Sequence, residues 1–263
     1  MLKTHSALEC VEAAIKILEN DPLVNAGYGS NLTTDSKVEC DASIMTNHGF
    51  GACGAVRNVK NPISLARKIL EMELHESRIK PMLLVGEGAA RFAAKCNLES
   101  AILETEKAQL THEMFTQRMD TVGAICIDSD GNIAAGVSSG GILLKIPGRV
   151  GSAAMYGAGC FTTSTSACSA SGSGETLIKA KFSQTVCEQL EREEFDFSKI
   201  LSEIQEQQFG NVGFIAIHKI KEKTELWFGH TTKSFSFAFK TEGKNYSAVS
   251  EKKRKYALGC HHL

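Results

Sequence analysis

Apolar residues recur at helical spacing near the start of the chain, at Leu8, Val11, Ile15 and Leu18, and again at Ile63, Ala66 and Leu70 behind Asn61-Pro62. The Asn-Pro pair supplies a cap and a first turn. Residues 51–56 and 82–85 read as strands, and 86–97 as a helix following the second of them. From 98 to 119 the chain turns polar and charged, with Glu99, Glu104, Glu106, Lys107 and His112, and reads as a mobile tether. Beyond it the pattern predicts helices over about 173–191 and 197–208, and strands near 211–219, 223–229 and 233–239.

The clearest local signal lies between these halves. Val122 to Asp128 is β-rich and largely apolar, the chain turns through Asp128, Ser129, Asp130 and Gly131, and a second apolar run follows from Asn132 to Ser138. This is a hairpin pattern. Its ladder brings Ser138 or Ser139 opposite Thr121, and a register ambiguous by one residue leaves the choice between the two serines open.

Thr121 matters because a threonine hydroxyl becomes a nucleophile only when a base takes its proton, and its own freed α-amine is one such base. That amine titrates at about 7.7 to 8.0, so it is substantially neutral near physiological pH. A chain cut between Asp120 and Thr121 would gain nucleophile and base in one event. Glycines crowd the sequence that follows, at Gly140, Gly141, Gly148, Gly151, Gly157 and Gly159, and allow backbone to approach a ligand closely. Arg149, the only cation between Pro147 and Lys179, suits bidentate carboxylate binding.

Seven stretches now stand out in order: Asn25-Ala-Gly-Tyr-Gly-Ser30, Glu39-Cys-Asp-Ala-Ser-Ile-Met45, Asp120-Thr-Val-Gly-Ala124, Val137-Ser-Ser-Gly-Gly141, Pro147-Gly-Arg-Val-Gly151, Ser169-Ala-Ser-Gly-Ser-Gly-Glu175 and His230-Thr-Thr232. With them the chain resembles the type 2 asparaginase family of N-terminal nucleophile hydrolases, and within it the threonine aspartase (taspase) branch. The resemblance implies an α/β fold, the four-layer αββα sandwich, in a single domain over residues 1–263. Self-cleavage at Asp120-Thr121 would divide it into an α subunit, 1–120, and a β subunit, 121–263. By position, Thr121 attacks, Ser139 hydrogen-bonds near its hydroxyl and amine, and Arg149 meets the substrate carboxylate. Asn25 orients the new N-terminus, and Ser171 and the Gly172 amide are the oxyanion donors. Asp120 is the P1 residue of the cleavage site, with Met119 an apolar P2.

Asparaginases carry Asp directly after Arg-Val-Gly, where it helps to hold a free α-amino group; this chain has Ser152. That exchange disfavours a free amino acid substrate. The expected activity is therefore a threonine endopeptidase that cuts protein substrates after aspartate, as a homodimer of αβ units. The alternatives are an asparaginase or isoaspartyl peptidase acting on small substrates, or an inactive chain that works by pairing with a homologue. That last reading arises because the family's opening strand, with its His-Ala-Gly-Ala-Gly-like end, has no counterpart after Met1, so an exposed sheet edge is expected.

Composition narrows the rest. A hydrophobic content of 43% supports a large core, and a net charge of −1 gives no case for nucleic acid. Nine scattered cysteines, without a C-x-x-C pair, fit reduced thiols in a cytoplasmic or nuclear protein. Cys260, His261 and His262 read as a frayed tail, and no metal or cofactor is expected. The basic run Lys252 to Lys255 reads as a solvated end, and no apolar run of about 18 residues suits a membrane.

Overall fold

The computed structural model describes residues 5–73, 79–106, 109, 121–206, 210–221, 223–253 and 255–263. Helix α1 (Ala7–Glu19) starts at a capping box in which the side chains of Ser6 and Glu9 each receive the other's backbone N–H. Its buried stripe is Ala7, Val11, Ile15 and Glu19, and the stripe therefore ends in a carboxylate. Helix α2 (Pro62–Leu70) has Asn61 at the cap position, but the Asn61 side chain makes no cap bond. Glu19 takes that part, accepting from the Ile63 amide at 3.0 Å and from Asn61 Nδ2 at 3.1 Å. A carboxylate there satisfies an orphan N–H and complements the helix dipole.

Strands β1 (Cys40–Thr46), β2 (Gly49–Val56), β3 (Leu83–Val85), β4 (Val122–Ile127) and β5 (Ile133–Ser139) form one sheet in the order β3-β2-β1-β5-β4. Successive side chains point to opposite faces. Ala42 and Ile44 accordingly meet Val11, Ile15 and Ile63 of the helices, while Met45, Ala135 and Val137 meet the second sheet. Helix α3 (Gly86–Lys95) adds Ala89 and Ala93 to the helix-facing core.

The second sheet contains β6 (Cys160–Thr162), β7 (Ser166–Gly172), β8 (Val212–Ile220), β9 (Lys223–His230) and β12 (Ala257–His262), in the order β12-β9-β8-β7-β6. Helices α4 (Gly174–Ala180), α5 (Phe182–Leu190) and α6 (Phe197–Gln205) close its outer side, with Phe182, Val186, Phe197 and Leu201 in the core. A hairpin of β10 (Ser234–Lys240) and β11 (Asn245–Glu251) leans on this sheet, with Phe237 stacked on Phe228 at 4.3 Å. Helices, two sheets and helices make the αββα order that the sequence resemblance implies.

Several elements differ from the sequence reading. The helix expected over 173–191 is two helices, broken at Lys181, whose backbone is left-handed with φ 44°. Strands β1, β6, β7, β11 and β12 were not predicted. β1 and β7 are built from Cys, Ser, Ala and Gly more than from β-branched residues, so they lack a strand signature; small side chains instead let the layers approach. The chain end is no frayed tail: Cys260 pairs with Trp227 and His262 with Glu225 in the ladder of β12 on β9. β4 stands at a sheet edge, with Gly123 to Ile127 half-buried. Of the stretch read as a tether, residues 98–104 are fastened to the body. Lys60 donates its amide to the Glu99 carbonyl at 3.0 Å, and Leu103 is buried. Residues 107, 108 and 110–119 lie outside the described residues.

Candidate active site

The hairpin fixes the serine. Val122 pairs with Ser138, which sets Thr121 across from Ser139, and the two hydroxyl oxygens lie 2.9 Å apart. Ser138 faces the other way and donates to Glu19 at 2.7 Å. Ser139 Oγ accepts the Gly141 amide at 3.0 Å, which leaves one lone pair and its own proton for Thr121. Gly123, two residues on from Thr121, lies so close to β7 that a Cβ there would fall 2.1 Å from Ser169 Oγ. Asp120 and Met119 lie outside the described residues.

Asn25 is buried beside this pair and holds the turn that follows Ser139. Its Nδ2 donates to the Gly141 carbonyl at 2.8 Å, and its Oδ1 accepts the Asn31 amide at 3.0 Å. Asn31 Nδ2 donates to the same Gly141 carbonyl at 2.8 Å. Gly140 has no room for a side chain, since a Cβ would lie 2.5 Å from both Asn25 Oδ1 and Ser30 Cβ.

Arg149 enters the cleft from a loop that two buried carboxylates hold by its backbone. Glu39 Oε2 accepts the Gly148 amide at 2.7 Å, and Asp41 Oδ2 accepts the Gly151 amide at 2.8 Å. Lys145, itself buried, donates to the Glu39 carbonyl at 2.7 Å. Burial pushes the Asp41 carboxyl up, against the charge of Lys145 and the hydrogen bonds from the Ala55 and Gly151 amides. The guanidinium is walled by glycines: a Cβ on Gly174 would sit 2.5 Å from Nη2, and one on Gly151 2.7 Å from Nη1. Its fork is occupied. Nε donates to Glu175 Oε1 at 3.0 Å, and Nη2 donates to Oε1 and to Oε2, each at 2.9 Å. Burial pulls the Glu175 carboxyl upward, but the Arg149 hydrogen bonds and charge outweigh it and hold it below its usual range.

One cleft is lined by Thr121, Ser139, Asn25, Arg149 and Gly172, together with Asp41 and Ser152. Ser171, the last residue but one of β7, stands opposite Gly213 and is not among the lining residues. Gly172 is held tightly, since a Cβ would meet the Asn211 carbonyl oxygen at 2.2 Å. The His230-Thr-Thr232 stretch braces this backbone from behind. Thr231 Oγ1 donates to the Gly210 carbonyl at 2.9 Å and accepts the Val212 amide at 3.0 Å. His230 Nδ1 lies 3.0 Å from the Thr232 carbonyl and Nε2 2.9 Å from Ser250 Oγ. Burial lowers the His230 imidazole pKa, against the Thr232 carbonyl, which raises it.

The sequence reading named Thr121, Ser139, Arg149, Asn25 and Gly172, and these five line one cleft. It missed the functions of Glu39, Asp41, Lys145 and Glu175. The signal for the first two was present, as carboxylates inside a run that is otherwise small and apolar. Among the described residues, one group of metal-type ligands, Glu225, Cys260 and His262, lies outside the cleft.

The chain can also be placed among known proteins by its sequence over most of its length. Residues 1–249 match the family described as asparaginase. A plant-type L-asparaginase of Pyrococcus abyssi is 35% identical over 93% of this chain and 86% of its own length. An isoaspartyl peptidase/L-asparaginase of Macaca fascicularis is 36% identical over 93% of this chain and 83% of its own. The isoaspartyl peptidase of Escherichia coli is 36% identical over 66% of this chain and 60% of its own length. With a family match over nearly the whole length, and relatives of this identity covering both sheets, the chain belongs to the type 2 asparaginase family.

Proposed function

We propose that the protein is an amidohydrolase of aspartyl groups whose nucleophile is Thr121, released by self-cleavage after Asp120. What carries this reading is the Thr121–Ser139 hydroxyl pair, 2.9 Å apart, in a cleft that also presents Arg149. In the reaction, the freed Thr121 amine takes the hydroxyl proton, and the hydroxyl oxygen attacks the substrate carbonyl. The amine then passes the proton to the leaving nitrogen, and water hydrolyses the resulting ester. Gly172, which lines the cleft, offers its amide to the developing oxyanion, and such a donor is typically worth about 10² to 10³ in rate. Arg149 takes the substrate's carboxylate, displacing Glu175, whose side chain is 59% exposed and has solvent to move into. Asn25 positions the amine through the Gly141 turn.

The names of the relatives favour small substrates, L-asparagine and β-aspartyl peptides, and this is the first reading. One observation favours a second, cleavage of proteins after aspartate by a threonine endopeptidase of the taspase kind. Ser152 lines the cleft where asparaginases carry an acid for the substrate's α-ammonium, and a peptide substrate has no such ammonium.

Intact mass over time and N-terminal sequencing test the nucleophile. A fragment beginning Thr-Val-Gly-Ala is expected from the wild type and none from Thr121→Ala; a Thr121→Ala protein that still splits there overturns the assignment. Aspartate release from L-asparagine and a β-aspartyl dipeptide, measured beside cleavage of a peptide with an internal Asp, then separates the two substrate readings.

A further inference from the structure

The unexpected last strand carries a second constellation. Cys260 and His262 are two apart on β12 and so share a face, and His262 stands directly across from Glu225 on β9. One ligand atom from each of Glu225, Cys260 and His262 lies within 4.8 Å of the others, and His262 Nδ1 is 3.5 Å from Glu225 Oε1. Metal–ligand bonds of about 2.0 to 2.3 Å in a tetrahedron set neighbouring ligand atoms roughly 3.3 to 3.8 Å apart. The cluster is therefore close to that spacing without an ion. Trp227 Nε1 donates to the other Glu225 oxygen, Oε2, at 3.0 Å, and the indole is itself packed edge-on against Phe195 and Phe197. Oε1 is thus left directed at His262. On the far side of Glu225, His218 pairs with it across β8, and the buried His218 Nδ1 has no hydrogen-bond partner among the described residues.

We propose that Glu225, Cys260 and His262 form a zinc site that fastens β12 to β9. The mix of thiolate, imidazole and carboxylate suits Zn²⁺, whereas a thiolate disfavours Mg²⁺ and Ca²⁺. On binding, the Cys260 thiol gives its proton to solvent as the S–Zn bond forms, and thiolate and carboxylate together balance the ion's charge. Water completes the fourth position, and His218 is the next donor along the row. The site is independent of the catalytic cleft. Ser171 pairs with Gly213 at one end of β8, and the cluster lies level with His218, five residues along, or roughly 17 Å at strand rise.

The test uses the full chain, freed of metal by a chelator and then titrated with Co²⁺, whose bond to a thiolate gives a near-ultraviolet charge-transfer band. One equivalent should saturate the band, Zn²⁺ should abolish it, and Cys260→Ser should lack it while Cys10→Ser retains it. His262→Ala should weaken Zn²⁺ binding by more than the roughly tenfold to hundredfold that loss of an outer partner costs. Zn²⁺ should raise the melting temperature of the wild type but not of Cys260→Ser, with both melting alike in chelator, which shows that the variant folds. A band that survives in Cys260→Ser, no saturation at one equivalent, or Zn²⁺ affinity unchanged in His262→Ala overturns the proposal.

Discussion

Asp41→Asn tests whether a buried carboxylate holds the loop that presents Arg149. Asp41 is fully buried and accepts two amides, Ala55 on Oδ1 and Gly151 on Oδ2, both at 2.8 Å. Asparagine keeps the shape but turns an NH₂ group toward one of those N–H donors, so one amide loses its acceptor whichever way the side chain is set. An orphaned buried donor costs about 1–3 kcal/mol, and the surviving bond falls from charge-assisted to neutral for roughly 1 kcal/mol more. Against this, the variant escapes the desolvation that pushes the Asp41 carboxyl upward. The expected net loss is about 2 kcal/mol. Urea unfolding reads it, carried out in a Thr121→Ala background so that processing does not mix two species. If Gly151 is the amide left unpaired, the Arg149 loop loosens, and in the single Asp41→Asn variant with Thr121 kept, KM for the aspartyl substrate rises with little change in kcat; each tenfold is about 1.4 kcal/mol. An unfolding midpoint equal to the parent's, with KM unchanged, would refute the view that this carboxylate organises the loop.

Glu19, whose carboxyl is pushed up to about 7 by burial against its hydrogen bonds from Ser138, Ile63 and Asn61, predicts a pH dependence. Its folded pKa lies above the unfolded value near 4.3, so the native state binds more protons between the two, and stability falls as pH rises through that window. Urea midpoints at pH 5 and pH 8 should therefore drop for the wild type and change less for Glu19→Gln; parallel drops would exclude Glu19 as the source. Glu175→Gln should lower KM a few-fold by freeing Arg149, because a pair with one partner 59% exposed is worth at most about 1 kcal/mol. A raised KM would instead make Glu175 a support for Arg149. Gly174→Ala puts a methyl group 2.5 Å from Arg149 Nη2, so steady-state kinetics should show a raised KM while Thr-Val-Gly-Ala still appears at the new N-terminus; unchanged kinetics would show that the guanidinium has room to move.

What was legible in the sequence, and what was not, follows from where each residue finds its partners. The hairpin from Val122 to Ser139 was readable because its two largely apolar runs and its Asp-Gly turn are local; its register, ambiguous by one residue, needed the structure. Thr121 came with it, whereas the family resemblance, not the hairpin, chose Ser139 over Ser138. Arg149 was readable as a lone cation among glycines, but Glu175 was not readable as its partner, because the pairing depends on how α4 begins after β7. Glu39 and Asp41 hid for a related reason. In sequence they look like charges interrupting a strand, and only the return of the loop at 145–151 gives their oxygens the amides of Gly148 and Gly151. The brace at His230-Thr-Thr232 was recognised as a motif without a job, since Thr231 acts on Gly210 and Val212, a strand away. In these cases the candidate site groups are carried by local pattern, whereas the groups that hold them in place come from segments distant in sequence. A substitution that leaves Thr121, Ser139 and Arg149 intact can therefore still disable the cleft, and Asp41 and Gly174 are the positions where that separation should be visible as KM rather than as loss of the nucleophile.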